Sequence, residues 1–166
     1  MTTHKSKRLK RPRFTFLAVQ IAAILVASIL LAMGVLGFVP GVTTHLDTMD
    51  PIGKQSGAAL FGVFQVSLVH NLFHVAMGVA GLVLARTYAR SRAYLLGGGV
   101  VFLGMWLYGL LTGPGHGVDV MPMNSADTWL HFGLGVAMVI LALTLAGARV
   151  PTGARGEELP TEMPDG

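Results

Sequence analysis

The chain has 166 residues, 52% of them apolar and only 12% charged, with a mean hydropathy of +0.63. Soluble domains carry roughly 25% charged residues, so this composition excludes an ordinary soluble domain and a disordered chain; the lack of cysteine also excludes a disulfide scaffold. The net charge of +4 and pI near 9.9 would suggest an acidic partner for a soluble domain, but here they do not indicate nucleic acid, because the positions of the basic residues explain them.

Residues 1–13 form a basic tail carrying Lys5, Lys7, Arg8, Lys10, Arg11 and Arg13. The first apolar segment follows at 14–38, FTFLAVQIAAILVASILLAMGVLGF, without a single charge. About 20 helical residues cross the hydrocarbon core, so this segment spans it with length to spare for tilt. It is also longer than the roughly 7 to 15 residues of a signal-peptide core, and no Ala-x-Ala-like site follows, so a retained helix is expected.

The next apolar stretch, 58–85, is punctuated by Ser67, a capping residue that opens a span over 67–85. The preceding AALFGVFQV, residues 58–66, reads as a short interfacial or re-entrant helix. A third span is expected at 93–112 and a fourth from the cap Asn124 across 124–148. The fourth is followed by a flexible acidic tail over 149–166. The expected fold is therefore all-α: a polytopic membrane protein with a four-helix transmembrane domain over 14–148.

Of the twelve Lys and Arg residues, only Lys54 lies on the side opposite the others. Arg86, Arg90 and Arg92 between the second and third spans, and Arg149 and Arg155 after the fourth, share the side of the N-terminal six. By the positive-inside rule both termini are cytoplasmic, and residues 39–66 and 113–123 form the outer loops.

An offset of 57 residues lays HVAMGVAGLVLA from His74 on HFGLGVAMVILA from His131 with six identities in twelve. It also pairs Gly78 with Gly135, Ser67 with Asn124 and His70 with Asp127. The ends of the first and third spans, LGFVPG from Leu36 and LLTGPG from Leu110, match at an offset of 74. The difference of 17 measures an insertion in the first outer loop, before Ser67. Two hairpin repeats of the same topology are expected, related by an axis along the membrane normal.

Ionisable groups inside spans are rare and mark function by default. Four occupy repeat-related places: His70 and His74 on the second span, Asp127 and His131 on the fourth, each pair on one helix face at i,i+4. Three readings stay open. His70, His74, Asp127 and His131 form a transition-metal ligand set. Alternatively His74 and His131 are axial ligands of a haem b, with Gly78 and Gly135 leaving room for the porphyrin. In the third reading Asp127 is a helix cap, His70 is wet at the interface, and His74 and His131 are interhelical glue bonded to Asn71 or Thr128. His45 and His116, in Gly/Pro-bearing loops, read as solvated groups that would at most extend a metal site.

Trp106, Tyr108 and Trp129 read as interfacial aromatics, and the methionines as core packing. Gly97, Gly98, Gly99, Gly104 and Gly109 make the third span a close-packing face for the bundle, a membrane-protein partner or a second copy. No GxSxG, phosphate loop, CxxC or acidic pair in a cleft is read from the sequence, so no catalytic residue is assigned.

Around LFGVFQVSLVHNLFHVAMGVAGL, WLYGL and PMNSADTWLHFGLGV, the chain resembles a bacterial family of four-helix membrane proteins, domain-of-unknown-function family forty-three eighty-three. The resemblance covers residues 14 to 148 and implies a small integral protein of the inner membrane, without implying an activity. That family typically has Asn where this chain has Ser67, and either residue caps a helix. Three functions follow as expectations: a metal- or haem-binding membrane protein, a cofactor-free structural or assembly subunit, and a small transporter or channel. The third has few polar residues for a path, with Gln20 and Ser28 the principal ones outside the His/Asp group.

Overall fold

A computed structural model describes residues 17–52, 55–112 and 121–145. The expectations for the two tails, Lys54 and His116 lie outside these residues. Four helices account for most of the described chain: α1 (Ala18–Leu36), α2 (Leu68–Leu84), α3 (Tyr88–Leu111) and α4 (Ser125–Thr144). Between α1 and α2 the chain forms three two-residue strands, β1 (Thr43–Thr44), β2 (Ala59–Leu60) and β3 (Phe64–Gln65), and a single 3-10 turn at Leu46–Thr48. α1, α3 and α4 are long and apolar enough to cross a membrane, at 19, 24 and 20 residues; α2 has 17 apolar-rich residues, the lower end of a spanning length.

Cap chemistry sets several of the boundaries. The Ser67, Thr87 and Asn124 side chains each accept a backbone N–H three residues on, from His70, Arg90 and Asp127 respectively, and so satisfy orphan donors of the first turn. Ser67 and Asn124 are the caps expected from the sequence. Thr87 starts α3 five residues ahead of the expected 93, so Arg90 and Arg92 ride on its first turns rather than in a loop. At the same end of the molecule, the buried Gln20 amide donates to the Ala85 carbonyl at 3.2 Å, tying α1 to the C-terminus of α2.

α1 packs chiefly on α2, and α3 on α4. Both interfaces depend on missing side chains. A Cβ on Gly78 would lie 2.6 Å from Leu31 and 2.8 Å from the Ala27 carbonyl of α1; one on Gly135 would lie 2.8 Å from Leu103 and 3.0 Å from the Gly99 carbonyl of α3. Backbone-to-backbone approach of this kind is how helices associate where lipid removes the hydrophobic drive between them. The main core, with Leu30, Leu95, Phe102 and Met138 fully buried, lies between the two pairs.

Residues 58–66 are not a helix. They form the β2–β3 hairpin, with Ala59 opposite Gln65 and Leu60 opposite Phe64, and β1 adds antiparallel to β2. Positive φ angles at Phe61 (54°) and Gly62 (71°) turn the chain, and Gly62 is the residue that takes such a geometry at no steric cost. One face of the sheet buries Ala58, Leu60 and Val66 against Met33, Leu36, Val42, Met49 and Phe64, which caps one end of the bundle.

Candidate metal centre beneath the hairpin

Most of the buried polar residues lie at the end of the bundle that carries the sheet: Ser67, His70, Asn71, His74, Asp127, Thr128 and His131 are all at most 5% exposed. The i,i+4 spacing on α2 stacks His70 on His74, with ring centroids 4.7 Å apart and planes inclined by 14°. His131 arrives from α4, 5.6 Å from the His70 ring and 5.8 Å from that of His74. One ring nitrogen from each of the three lies within 4.8 Å of the other two.

The hydrogen bonding of these rings is incomplete. His74 Nδ1 lies 3.1 Å from the His70 carbonyl; a carbonyl only accepts, so Nδ1 carries the proton and Nε2 is left with a bare lone pair. His70 has the Pro122 backbone carbonyl as a partner. Nδ1 of His70 and Nε2 of His74 are buried without any partner, and His131 has no polar group near its ring beyond the Asp127 backbone carbonyl one turn earlier, which leaves at least one of its nitrogens free as well. The residues that would make the histidines interhelical glue are engaged elsewhere. Asn71 Nδ2 approaches Met49 Sδ at 4.0 Å, and the Thr128 hydroxyl donates to the Asn124 carbonyl at 3.0 Å.

Asp127 lines the same small cavity as His70 and His74, but its Oδ2 is occupied. It accepts the Asn124 N–H at 3.2 Å, closing a capping box, and the Gln65 N–H of β3 at 2.9 Å. Asn124 Nδ2 in turn donates to the Val63 carbonyl at 2.6 Å. The N-terminus of α4 therefore pins the hairpin over the histidines. His45 is exposed, at φ 49° as the residue before the 3-10 turn, and is not among the three residues that converge.

The remaining walls were not evident from the sequence. Phe102 of α3 stacks on His131 at 5.6 Å and 14°, and Phe73 meets His74 edge-on at 5.8 Å. Next to these rings, Met33, Leu60, Phe64, Val66, Asn71 and Leu130, together with His70, His74 and Asp127 but not His131, line a cavity of about 10 Å³. That is room for one water-sized occupant. No periodicity marks Phe102 or Met33 as neighbours of the histidines, since each comes from a different helix. Trp106 packs on Phe132 at 4.9 Å, half-buried, whereas Trp129 is 57% exposed at the outer surface of α4.

Chemically, the arrangement offers three neutral imidazole donors from two helices, enclosed by aromatic and aliphatic side chains, with one carboxylate beside them. The tight contacts of Gly78 with α1 and Gly135 with α3 account for both glycines as packing positions. A family model described as Domain of unknown function (DUF4383) matches residues 20–144. No curated protein and no solved structure matches the chain. The chain belongs to that family of unknown function, and its apolar helices suit a lipid bilayer.

Proposed function

We propose that this protein is a four-span integral protein of the bacterial inner membrane whose histidines 70, 74 and 131 bind a transition-metal ion near the outer face of the bilayer. One observation carries the reading: three buried imidazoles converge within 4.8 Å while each keeps a ring nitrogen without a partner. An orphaned buried polar atom costs on the order of 1–3 kcal/mol, and a single ion would satisfy all three at once. The His74 Nδ1–H to backbone bond is the outer-shell contact that typically orients a metal-bound imidazole. In this reading Asp127 supplies negative charge beside the ion and holds the hairpin in place.

A small ion is favoured over haem. The Phe102 ring stacked on His131 and the His70 ring stacked on His74 occupy the space a porphyrin between His74 and His131 would need. Two hairpin repeats remain part of the reading, supported by the matched glycines: Gly78 meets α1 as Gly135 meets α3. A partner-binding role has its own support on α3, where a Cβ on Gly97 or Gly104 would meet nothing within 4 Å and Val100 beside them is 65% exposed.

The test is elemental analysis and an absorption spectrum of the full chain purified in mild detergent, beside a His74→Ala/His131→Ala variant. Metal present in the wild type and lost from the variant is expected. A metal-free, colourless wild type that takes up no added metal refutes the proposal, and a Soret band would replace the ion with haem.

A further inference from the structure

We infer that the ion this site selects is soft and monovalent, Cu(I), held in low coordination by His70 Nδ1, His74 Nε2 and one nitrogen of His131, in preference to Zn(II). This rests on the metal-site reading above and narrows it to one class of ion.

The donor set is the first reason. All three nitrogens belong to neutral imidazoles, and among the described residues the acidic group lining the cavity is Asp127, whose Oδ2 is already shared by two backbone N–H groups. With Asp127 ionised, a monovalent ion leaves the site neutral overall; with Asp127 protonated it leaves one positive charge where a divalent ion leaves two. The cost of desolvating an ion rises with the square of its charge, so the divalent ion starts about fourfold worse off.

Coordination number is the second. Zn(II) takes four ligands in structural sites and keeps a water as its fourth in catalytic ones. The cavity of about 10 Å³ that His70 and His74 line, with the His131 ring beside them, admits one water-sized occupant, so an ion seated there leaves no room for a water ligand; its other walls are Met33, Leu60, Phe64, Val66, Asn71 and Leu130, with Asp127. Among these the soft donor is the Met33 thioether, a group that suits Cu(I) and not the hard oxygen-seeking cations. Three nitrogens about 2.0 Å from a central ion stand about 3.5 Å apart in a plane. The present separations, within 4.8 Å, close to that value with an inward shift of each ring of less than about 1 Å.

The experiment is a competition on the full chain in detergent under anaerobic conditions. One equivalent each of Cu(I) and Zn(II) is added together, unbound metal is removed, and the bound metals are quantified. X-ray absorption on the copper-loaded wild type then reads the ligands without relying on any variant. The expected result is at least about tenfold more copper than zinc bound, with a low-coordinate shell dominated by imidazole nitrogen. That copper should be lost from both His74→Ala and His74→Gln proteins that still elute as the wild type does. Zinc retained in preference to copper, and lost on replacing His74, overturns the choice of ion while leaving the metal site standing. A copper shell dominated by sulfur overturns it as well, by placing the ion among methionines elsewhere. If neither metal binds, this inference and the proposed function fail together.

Discussion

At the scale of single residues, Asp127 connects the cap of a helix to the cover of a cavity. Its Oδ2 serves the Asn124 N–H, as cap chemistry requires, and the Gln65 N–H from 62 residues earlier in the chain. Asp127→Ala removes the acceptor of both donors, and a buried donor left without one costs about 1–3 kcal/mol. The expected outcome is a lower melting temperature in detergent, with Asp127→Asn, which keeps an acceptor oxygen, falling less. Equal losses in the two variants would mean that packing, not these hydrogen bonds, holds the hairpin. The capping role is legible in the sequence because Asn124 and Asp127 are three residues apart. The tether to Gln65 is not, since no local pattern relates them. The histidines divide in the same way: the i,i+4 step places His70 over His74, whereas their approach to His131 depends on how α2 meets α4. For a variant that probes the cluster alone, His131→Gln retains bulk and polarity. It should leave the elution profile of the protein unchanged while lowering metal affinity by at least about tenfold, as read by competition with a chromophoric chelator.

At the scale of elements, the glycines of α3 divide into two sets that composition alone cannot separate. Gly98, Gly99 and Gly109 face Met138, Val139 and Thr128 of α4, whereas a Cβ on Gly97 or Gly104 would stand in open space. Gly78→Leu and Gly135→Leu must therefore force a helix pair apart, at a cost of about 1–3 kcal/mol or more. Gly104→Ala meets no obstacle and should be neutral or stabilising by up to about 1 kcal/mol through helix propensity. Unfolding by denaturing detergent measures both, and destabilisation by Gly104→Ala would point to a neighbour closing on that face. The spans themselves were readable because a charge-free run of helical length has few alternatives. Residues 58–66 form strands where a helix is expected, and the reason is related: AALFGVFQV is apolar but for Gly62 and Gln65, which hides any alternation. Its strands are only two residues long, and their shape comes from pairing with Thr43 and Thr44, from the Phe61–Gly62 turn and from contacts with α4. All but the turn are tertiary.

At the scale of the whole molecule, the sheet and the buried polar cluster share one end, and the arginines at the start of α3 mark the opposite one. A bilayer imposes an electrostatic direction on such an asymmetric body: basic residues near span ends stay on the cytoplasmic side. If all four helices span, as proposed, the sequence order assigns eleven of the twelve Lys and Arg residues to the side of the α2–α3 connection. In the proposed four-span arrangement the hairpin faces outward, and the outer compartment is the source of whatever reaches the histidines. Because the chain has no cysteine, a single introduced thiol reports its own side without interference. Val63, at the hairpin turn, is 50% exposed and is suited to labelling. In intact spheroplasts Val63→Cys should react with a membrane-impermeant maleimide, and Thr161→Cys should react only after lysis. The reverse pattern would turn the molecule over, place the histidine cluster next to the cytoplasm, and require the ion to come from the inner pool. Labelling of both positions from outside would mean an odd number of spans. α2 is the helix this would exclude, because its 17 residues are the shortest of the four.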